Sequence, residues 1–279
     1  MNNKSNIASW VTSATTTLTD AGITSGRLDA ELILSHTIRK NRTYLHAHGD
    51  EEIDVRFSDI LDTRLALRLD RVPLAYIIGH KDFYGRRFSV TPATLIPRPE
   101  SEAMIELLLE SVKQTKLVFT GQPQRLVDVG TGSGCLGITA KLELPELEVT
   151  LLDISRHALT VAENNAERLE AAVTTMRSDL LQSYPFEADY IFANLPYVDE
   201  TWDVSPETRH EPHEALFATK NGLSLIYRLL GEAQSRLTRG GLLFIEADPR
   251  QHEDVISYAK VKNVSLLKTR GFIMVFQAK

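Results

Sequence analysis

The run Val127-Asp128-Val129-Gly130-Thr131-Gly132-Ser133-Gly134 constrains this chain more than any other stretch of it. An apolar segment that stops at a glycine-rich turn and resumes with helical period reads as a strand, a tight loop and a helix start. Glycines at alternate positions let the backbone pass close to a ligand, and a helix beginning there offers free N–H groups. The surroundings alternate in the same way. The patterning predicts a helix over 104–112, a strand at 125–129, a helix through 138–142, a strand at 148–152 and a helix over 158–169. Strands follow at 190–193 and 242–247 with a helix at 223–237 between them, and a closing hairpin pairs 264–267 with 272–277 around Arg270-Gly271. Strand–helix alternation of this kind builds a mostly parallel sheet with helices on both faces.

Up to about His80 the period is helical. Ile7, Trp10, Val11, Ala14 and Leu18 share one face, and Gly22 ends that run. Ser25 is placed to cap a second helix carrying Leu28, Leu32 and Ile33. A third fits 55–69 with Phe57, Ile60, Leu61, Leu65 and Leu69 inward. Phe83, Tyr84, Phe88 and Val90 around Gly85 then suggest a hairpin, followed by the proline-studded Ile96-Pro97-Arg98-Pro99-Glu100. The expected organisation is a small helical bundle over 1–80, a hairpin and linker over 81–97, and an α/β domain over 98–279.

The 279 residues have room for two such domains. Hydrophobic residues at 43% and charged residues at 24% exclude a disordered chain. Net charge is −6, and residues 1–80 carry nine basic against ten acidic side chains, a balance that argues against a polyanion-binding appendage. A single cysteine, Cys135, excludes a disulfide framework and a multi-cysteine zinc site. No apolar run approaches the ~18–20 residues that span a bilayer, and residues 5–20 are too rich in Ser and Thr for a signal-peptide core. A cytoplasmic protein without membrane association is expected.

Two motifs carry chemistry. In the glycine loop, Cys135 stands where a dinucleotide fingerprint requires its last Gly or Ala. An Asp before the first glycine, with glycines at 130, 132 and 134, fits S-adenosylmethionine better. Asp153 ends the next strand, where it can accept both ribose hydroxyls. The second motif, Asn194-Leu195-Pro196-Tyr197, lies at a strand's carboxyl end, where open α/β sheets bind ligands. An amide or aryl amine is a poor nucleophile because its lone pair is delocalised. The Asn194 side-chain oxygen and the Leu195 carbonyl can accept its two N–H bonds and hold the nitrogen in line with a methyl-sulfonium. Pro196 stiffens the backbone and Tyr197 can stack on a planar group. Orientation does the work, and no general base is required before transfer.

These motifs look like those of a Class I methyltransferase. Together with Tyr76-Ile77-Ile78-Gly79, Phe83-Tyr84-Gly85, Ile96-Pro97-Arg98-Pro99-Glu100 and Glu211-Pro212, they resemble the release factor glutamine methyltransferase (HemK/PrmC) family through nearly the whole chain. The resemblance implies a Rossmann-like domain with a seven-stranded sheet behind a helical domain that docks the release factor. It implies methylation of the side-chain amide N5 of the glutamine in the Gly-Gly-Gln motif of class 1 peptide chain release factors, with S-adenosylhomocysteine as co-product and no metal. Gly130, Thr131, Gly132, Ser133, Gly134 and Asp153 then match cofactor positions, with Asn194 beside them. Asp179 and Leu180 fall where adenine is held, and Asn194, Leu195, Pro196 and Tyr197 where the glutamine binds. The sequence departs from the family twice: its usual Asn-Pro-Pro-Tyr has Leu195 for the first proline, and Leu180 stands where an aromatic residue is common.

Asn-Leu-Pro-Tyr is also the form seen in ribosomal RNA adenine dimethyltransferases, so adenine amino-methylation of RNA or DNA is the rival enzymatic reading. Those enzymes carry their extra helical domain after the catalytic one. A cofactor-binding module without turnover is a third reading, which the retained Asn194, Pro196 and Tyr197 oppose. His210-Glu211-Pro212-His213 is not a zincin pair, because Pro212 interrupts the helix such a pair needs. His46 and His48 are read as solvated, and Cys135 as a small packing residue.

Overall fold

A computed structural model describes residues 5–114 and 123–279. Their contacts separate two compact units, one of 1–79 with 205–210 and one of 80–204 with 211–279. The segment 81–97 falls within the second unit.

The first unit is helical: α1 (Ile7–Asp20), α2 (Gly26–Ile38), α3 (Arg42–Ala47), α4 (Ser58–Leu69) and α5 (Leu74–Ile78). The side chain of Asn6 caps α1 by accepting from the Ser9 N–H at 2.8 Å, and Asn41 caps α3 through the Tyr44 N–H at 2.8 Å. Ile7, Ile33, Leu34, Leu45 and Leu61 form its core. The expected inward face of α4 needs correction at Ile60, and α2 buries charges. Leu28 and Ile60 are exposed, while Asp29, Glu31 and Arg68 are buried. Arg68 Nε donates to Asp29 at 2.7 Å and its Nη2 to Glu207 at 3.0 Å; Arg42 reaches Glu31 at 2.6 Å. Paired charges thus take inward positions that periodicity assigns to apolar side chains. Ser25 precedes α2 without a side-chain capping bond, its hydroxyl donating instead to Asp29 at 2.8 Å.

The second unit opens with the hairpin of β1 (His80–Phe83) and β2 (Arg86–Ser89), turned by Tyr84 and Gly85 at φ 49° and 71°, the signature of a tight antiparallel turn. Then come α6 (Glu102–Gln114), β3 (Arg125–Val129), α7 (Cys135–Glu143), β4 (Glu148–Asp153), α8 (Arg156–Arg168), β5 (Thr174–Arg177), β6 (Ala188–Ala193), α9 (Ser224–Ala233), β7 (Leu237–Glu246), α10 (His252–Val261), β8 (Val264–Arg270) and β9 (Ile273–Ala278). Among the described residues the sheet has seven strands in the order β5-β4-β3-β6-β7-β9-β8. The first five are mutually parallel, and β9 runs antiparallel to both its neighbours. Leu237, expected to end a helix, instead starts β7 opposite Ala188.

The strands bury alternate residues on opposite faces. Val127, Val129, Ile191 and Ala193 pack with α9 and α10, whereas Leu126, Tyr190 and Phe192 pack with α6, α7, α8 and the hairpin's Phe83 and Phe88. The chain leaves β3 toward β4 and β5, then crosses back to β6 and β7, so the strand order reverses between β3 and β6. Ligand crevices in open α/β sheets form at such a reversal. Val129 pairs with Ala193 there, which sets Gly130 and Asn194 side by side at the strands' carboxyl ends.

Candidate active site

A cavity of about 320 Å³ opens at that switch point. Its wall includes Gly130, Thr131, Gly132 and Ser133, the Asp153 carboxylate, Asp179 and Leu180, and Asn194, Leu195 and Pro196. Most of the residues singled out in the sequence therefore meet in one place. Two stand elsewhere. Gly134 (φ 81°) lies against α8, where a Cβ would come within 2.6 Å of Ile138 Cδ1 and 3.2 Å of Ala162 Cβ. Tyr197 turns its hydroxyl to Glu246 at 3.2 Å.

The glycine loop is held from below. Asp128 Oδ2 accepts from the Thr131 hydroxyl at 2.6 Å and from the Gly137 N–H at 3.0 Å. Burial pushes its pKa up to about 6, against the pull of those two donors. Asp153 Oδ2 accepts the Gly132 N–H at 2.9 Å, and its Oδ1 takes the Ser155 N–H at 2.9 Å. Burial raises this carboxyl as well. The Ile154 N–H adds to these donors, and the carboxylate lines the cavity. Gly132 is at φ 57°, and the space its Cβ would occupy is open. From above, Asn165 Nδ2 donates to the carbonyls of Ser133 (2.9 Å) and Ser89 (3.0 Å), tying the loop to the hairpin.

On the opposite wall, Leu195 is buried and its Cδ2 lies 3.0 Å from the point where Gly130 would carry a Cβ. The leucine that replaces the usual proline thus packs the tetrad onto the glycine loop. Leu180 is held at φ 49°, a left-handed conformation that costs a leucine about 1 kcal/mol or more. Beside it Asp179 pairs with Arg228 at 2.8 Å.

The sequence reading missed Ser101, Glu246 and Gln251 behind these walls, and gave Glu211 no role. Ser101 Oγ donates to the buried Glu246 at 2.5 Å and accepts from Asn194 Nδ2 at 3.0 Å. Gln251 Nε2 donates to the Tyr197 carbonyl at 2.7 Å. Glu211 takes the Ile96 N–H and Arg98, fixing a segment of the cavity wall. One signal for Glu246 was present: a carboxylate closing the apolar run Leu242-Leu243-Phe244-Ile245, at the sheet edge where ligands bind.

The decoys resolve on geometry. Cys135 lines the cavity with its thiol pushed up to about 12 by burial, so it stays protonated. His210 lies against the Asp70 carbonyl at 2.8 Å, and His213 stacks on Phe217. His48 stacks on Tyr44, and the exposed His46 is 3.7 Å from Glu31. Among the described residues no group of three His, Cys, Asp or Glu is placed to hold a metal ion, and no helix is long and apolar enough to cross a membrane.

Comparison with known proteins adds the family. Residues 9–79 match the PrmC N-terminal domain and 102–211 the methyltransferase small domain. The release factor glutamine methyltransferase of Koribacter versatilis is 38% identical over 88% of this chain and 88% of its own. That of Deinococcus radiodurans is 36% identical over 86% and 85%, and that of Bacillus anthracis 35% over 81% of each. In structure, a methyltransferase from Pyrococcus furiosus superposes with a TM-score of 0.52 at 18% identity, covering 77% of this chain and 98% of that one, which establishes the fold. With relatives of that identity along most of both chains, helical unit included, this chain belongs to the release factor glutamine methyltransferase family.

Proposed function

We propose that this protein transfers a methyl group from S-adenosylmethionine to N5 of the glutamine in the Gly-Gly-Gln motif of class 1 release factors, in the cytoplasm. The observation that carries the reading is the adjacency of Gly130 and Asn194 across the β3–β6 pair, with Gly130, Thr131, Gly132 and Ser133 lining the same cavity as Asn194, Leu195 and Pro196.

The cavity suits the cofactor. Space over Gly132 is open, Asp153 lines the cavity with a carboxylate able to accept from ribose hydroxyls, and Ile154 and Leu180 offer apolar contact to a purine. Gly130, Thr131, Gly132, Ser133 and Asp153 would hold it, with Asp179 and Leu180 at the adenine end. When bound, it supplies an electrophilic methyl on a positively charged sulfur. Everything else falls to the chain. Asn194 Oδ1 and the Leu195 carbonyl accept the two N–H bonds of the substrate amide and aim its nitrogen. As the nitrogen becomes cationic, the same two acceptors stabilise it, and one proton leaves to solvent. No step is assigned to a metal ion or to nucleic acid. The first unit docks the release factor body, because one glutamine side chain offers little area for specificity.

Purified protein, radiolabelled cofactor and a purified class 1 release factor test the proposal. One added methyl on the Gly-Gly-Gln glutamine by mass spectrometry is expected. Label incorporated into ribosomal RNA adenine but not into the release factor would overturn it in favour of the adenine reading.

A further inference from the structure

Glu246 ends β7 behind the cavity wall and is 1% exposed. Burying a carboxylate is costly, and such groups are ordinarily paired with a cation. Among the described residues its partners are instead the Ser101 and Tyr197 hydroxyls and the Asn194 amide. Burial raises the Glu246 pKa; in its ionised form the carboxylate only accepts hydrogen bonds, and both hydroxyls donate to it. Ser101, having given its hydrogen to Glu246 at 2.5 Å, is left an acceptor toward Asn194. The group of Asn194 that meets Ser101 Oγ at 3.0 Å must then be the –NH₂, as the geometry has it. With its nitrogen turned back, the side chain presents Oδ1 to the cavity it lines.

We infer that Glu246 and Ser101 form a polarity relay that fixes the orientation of the Asn194 amide, so that Asn194 meets a substrate amide as an acceptor. Both are positioning residues acting through Asn194, and the inference rests on the substrate role given to Asn194 above. Tyr197 belongs to the same device, its hydroxyl occupying the second oxygen of Glu246 at 3.2 Å. The relay has a definite sense. A glutamine at 246 has one oxygen and one –NH₂; with the oxygen turned to Tyr197 it offers –NH₂ to Ser101. The Ser101 hydrogen is then free to point at Asn194, which turns its oxygen inward and its –NH₂ to the substrate. A donor facing a donor cannot bind the amide N–H. In that orientation the isosteric change reverses the relay without changing its size.

The test compares Glu246→Gln, Ser101→Ala, Ser101→Thr and Asn194→Ala in the full chain, using a purified release factor, labelled cofactor and calorimetry for cofactor binding. The relay predicts that Glu246→Gln lowers kcat about ten- to a hundredfold, a share of what a positioned hydrogen bond contributes, with cofactor Kd within about twofold. Ser101→Ala should fall less steeply, because Glu246 also accepts from the Asn194 amide directly, and Ser101→Thr, which restores the hydroxyl, should recover most of the loss. If Glu246→Gln does not fold, the Ser101 pair decides alone. Equal rates for Ser101→Ala and Ser101→Thr would overturn the relay while a steep loss in Asn194→Ala left the substrate reading standing. A normal rate in Asn194→Ala would remove both.

Discussion

Glu211 accepts Arg98 Nη2 at 2.5 Å on one carboxylate oxygen and the Ile96 N–H at 3.2 Å on the other, joining segments more than a hundred residues apart. Ile96, Pro97 and Arg98 line the cavity, so this one buried carboxylate holds part of its rim. Glu211→Ala leaves the Ile96 N–H without that acceptor, a cost of about 1–3 kcal/mol. For a chain of this size the melting temperature should fall by about 2–12 °C, with weaker cofactor binding. Scanning calorimetry with and without S-adenosylmethionine checks both, and an unchanged melting temperature would show that the rim is held by other means.

Asp153 has two tasks that one substitution exposes. It ties down the Gly132 and Ser155 N–H groups, and it is assigned the ribose hydroxyls. Asp153→Ala should weaken cofactor binding by roughly ten- to a hundredfold, the loss of charge-assisted bonds worth ~1.5–3 kcal/mol. Titration calorimetry returning the unaltered affinity would refute the ribose assignment.

Two glycines at positive φ should respond in opposite ways. At Gly222, φ 80°, a Cβ would lie 1.9 Å from the Tyr197 carbonyl oxygen, a backbone atom that Gln251 already pins. Gly222→Ala should destabilise the fold by about 2–4 kcal/mol, combining overpacking with left-handed strain. At Gly132, φ 57°, a Cβ meets nothing within 4 Å. Gly132→Ala should cost only about 1 kcal/mol in stability but should interfere with the cofactor, because its methyl projects into open space at the loop. Urea melts and cofactor titrations on the two variants should give reversed orders of severity.

Asp128 provides a pH signature. Its folded pKa of about 6 lies above the 3.8 of an ordinary aspartate, chiefly through burial, with Asp153 adding repulsion. Between those values the native state binds more protons than the unfolded state. This carboxyl's contribution to stability is therefore full below about pH 4 and declines as pH rises to about 6, by on the order of 2–3 kcal/mol. Asp128→Asn removes the titration. The stability difference, wild type minus variant, should therefore become less favourable to wild type from pH 4 to pH 6. Denaturant melts showing a flat difference across that window would contradict the burial argument.

What the sequence made legible follows from how each part is stabilised. β3, β4 and β6 are interior parallel strands, so their apolar runs stand out and end at the residues that line the cavity. β5 (Thr-Thr-Met-Arg) is a short edge strand with no buried residue, and no pattern marks it. α10 buries only Val255 and Ala259, and α5 is a five-residue helix between Pro73 and Gly79; both are too slight to be found by period. In α2 the inward side carries Asp29 and Glu31, whose partners come from α3 and α4, and no local pattern marks these charges as buried. The site divides likewise. Glycine loop and tetrad are local motifs, whereas Ser101 and Glu246 become neighbours only once β7 lies beside β6.

The docking role of the first unit is tested by removing it, and the structure decides where to cut. A chain beginning at Ile96 would lose the hairpin, whose Phe83 and Phe88 are buried in the core of the second unit and whose Ser89 is held by Asn165. Starting at His80 keeps that hairpin whole. The cut still removes Arg68 and Arg71, the ion-pair partners of Glu207 in the 205–210 segment. That segment loses its anchors, but it lies outside the cavity wall, so a cooperative thermal transition and cofactor affinity within about threefold of the full chain are expected. Methylation of a short peptide containing Gly-Gly-Gln should survive the cut. Methylation of the intact release factor should fall by about a hundredfold or more, the loss of roughly 3 kcal/mol of docking contacts. If the shortened chain modifies peptide and intact factor with unchanged relative efficiency, the helical unit does not dock the substrate, and specificity must reside in the cavity and its rim.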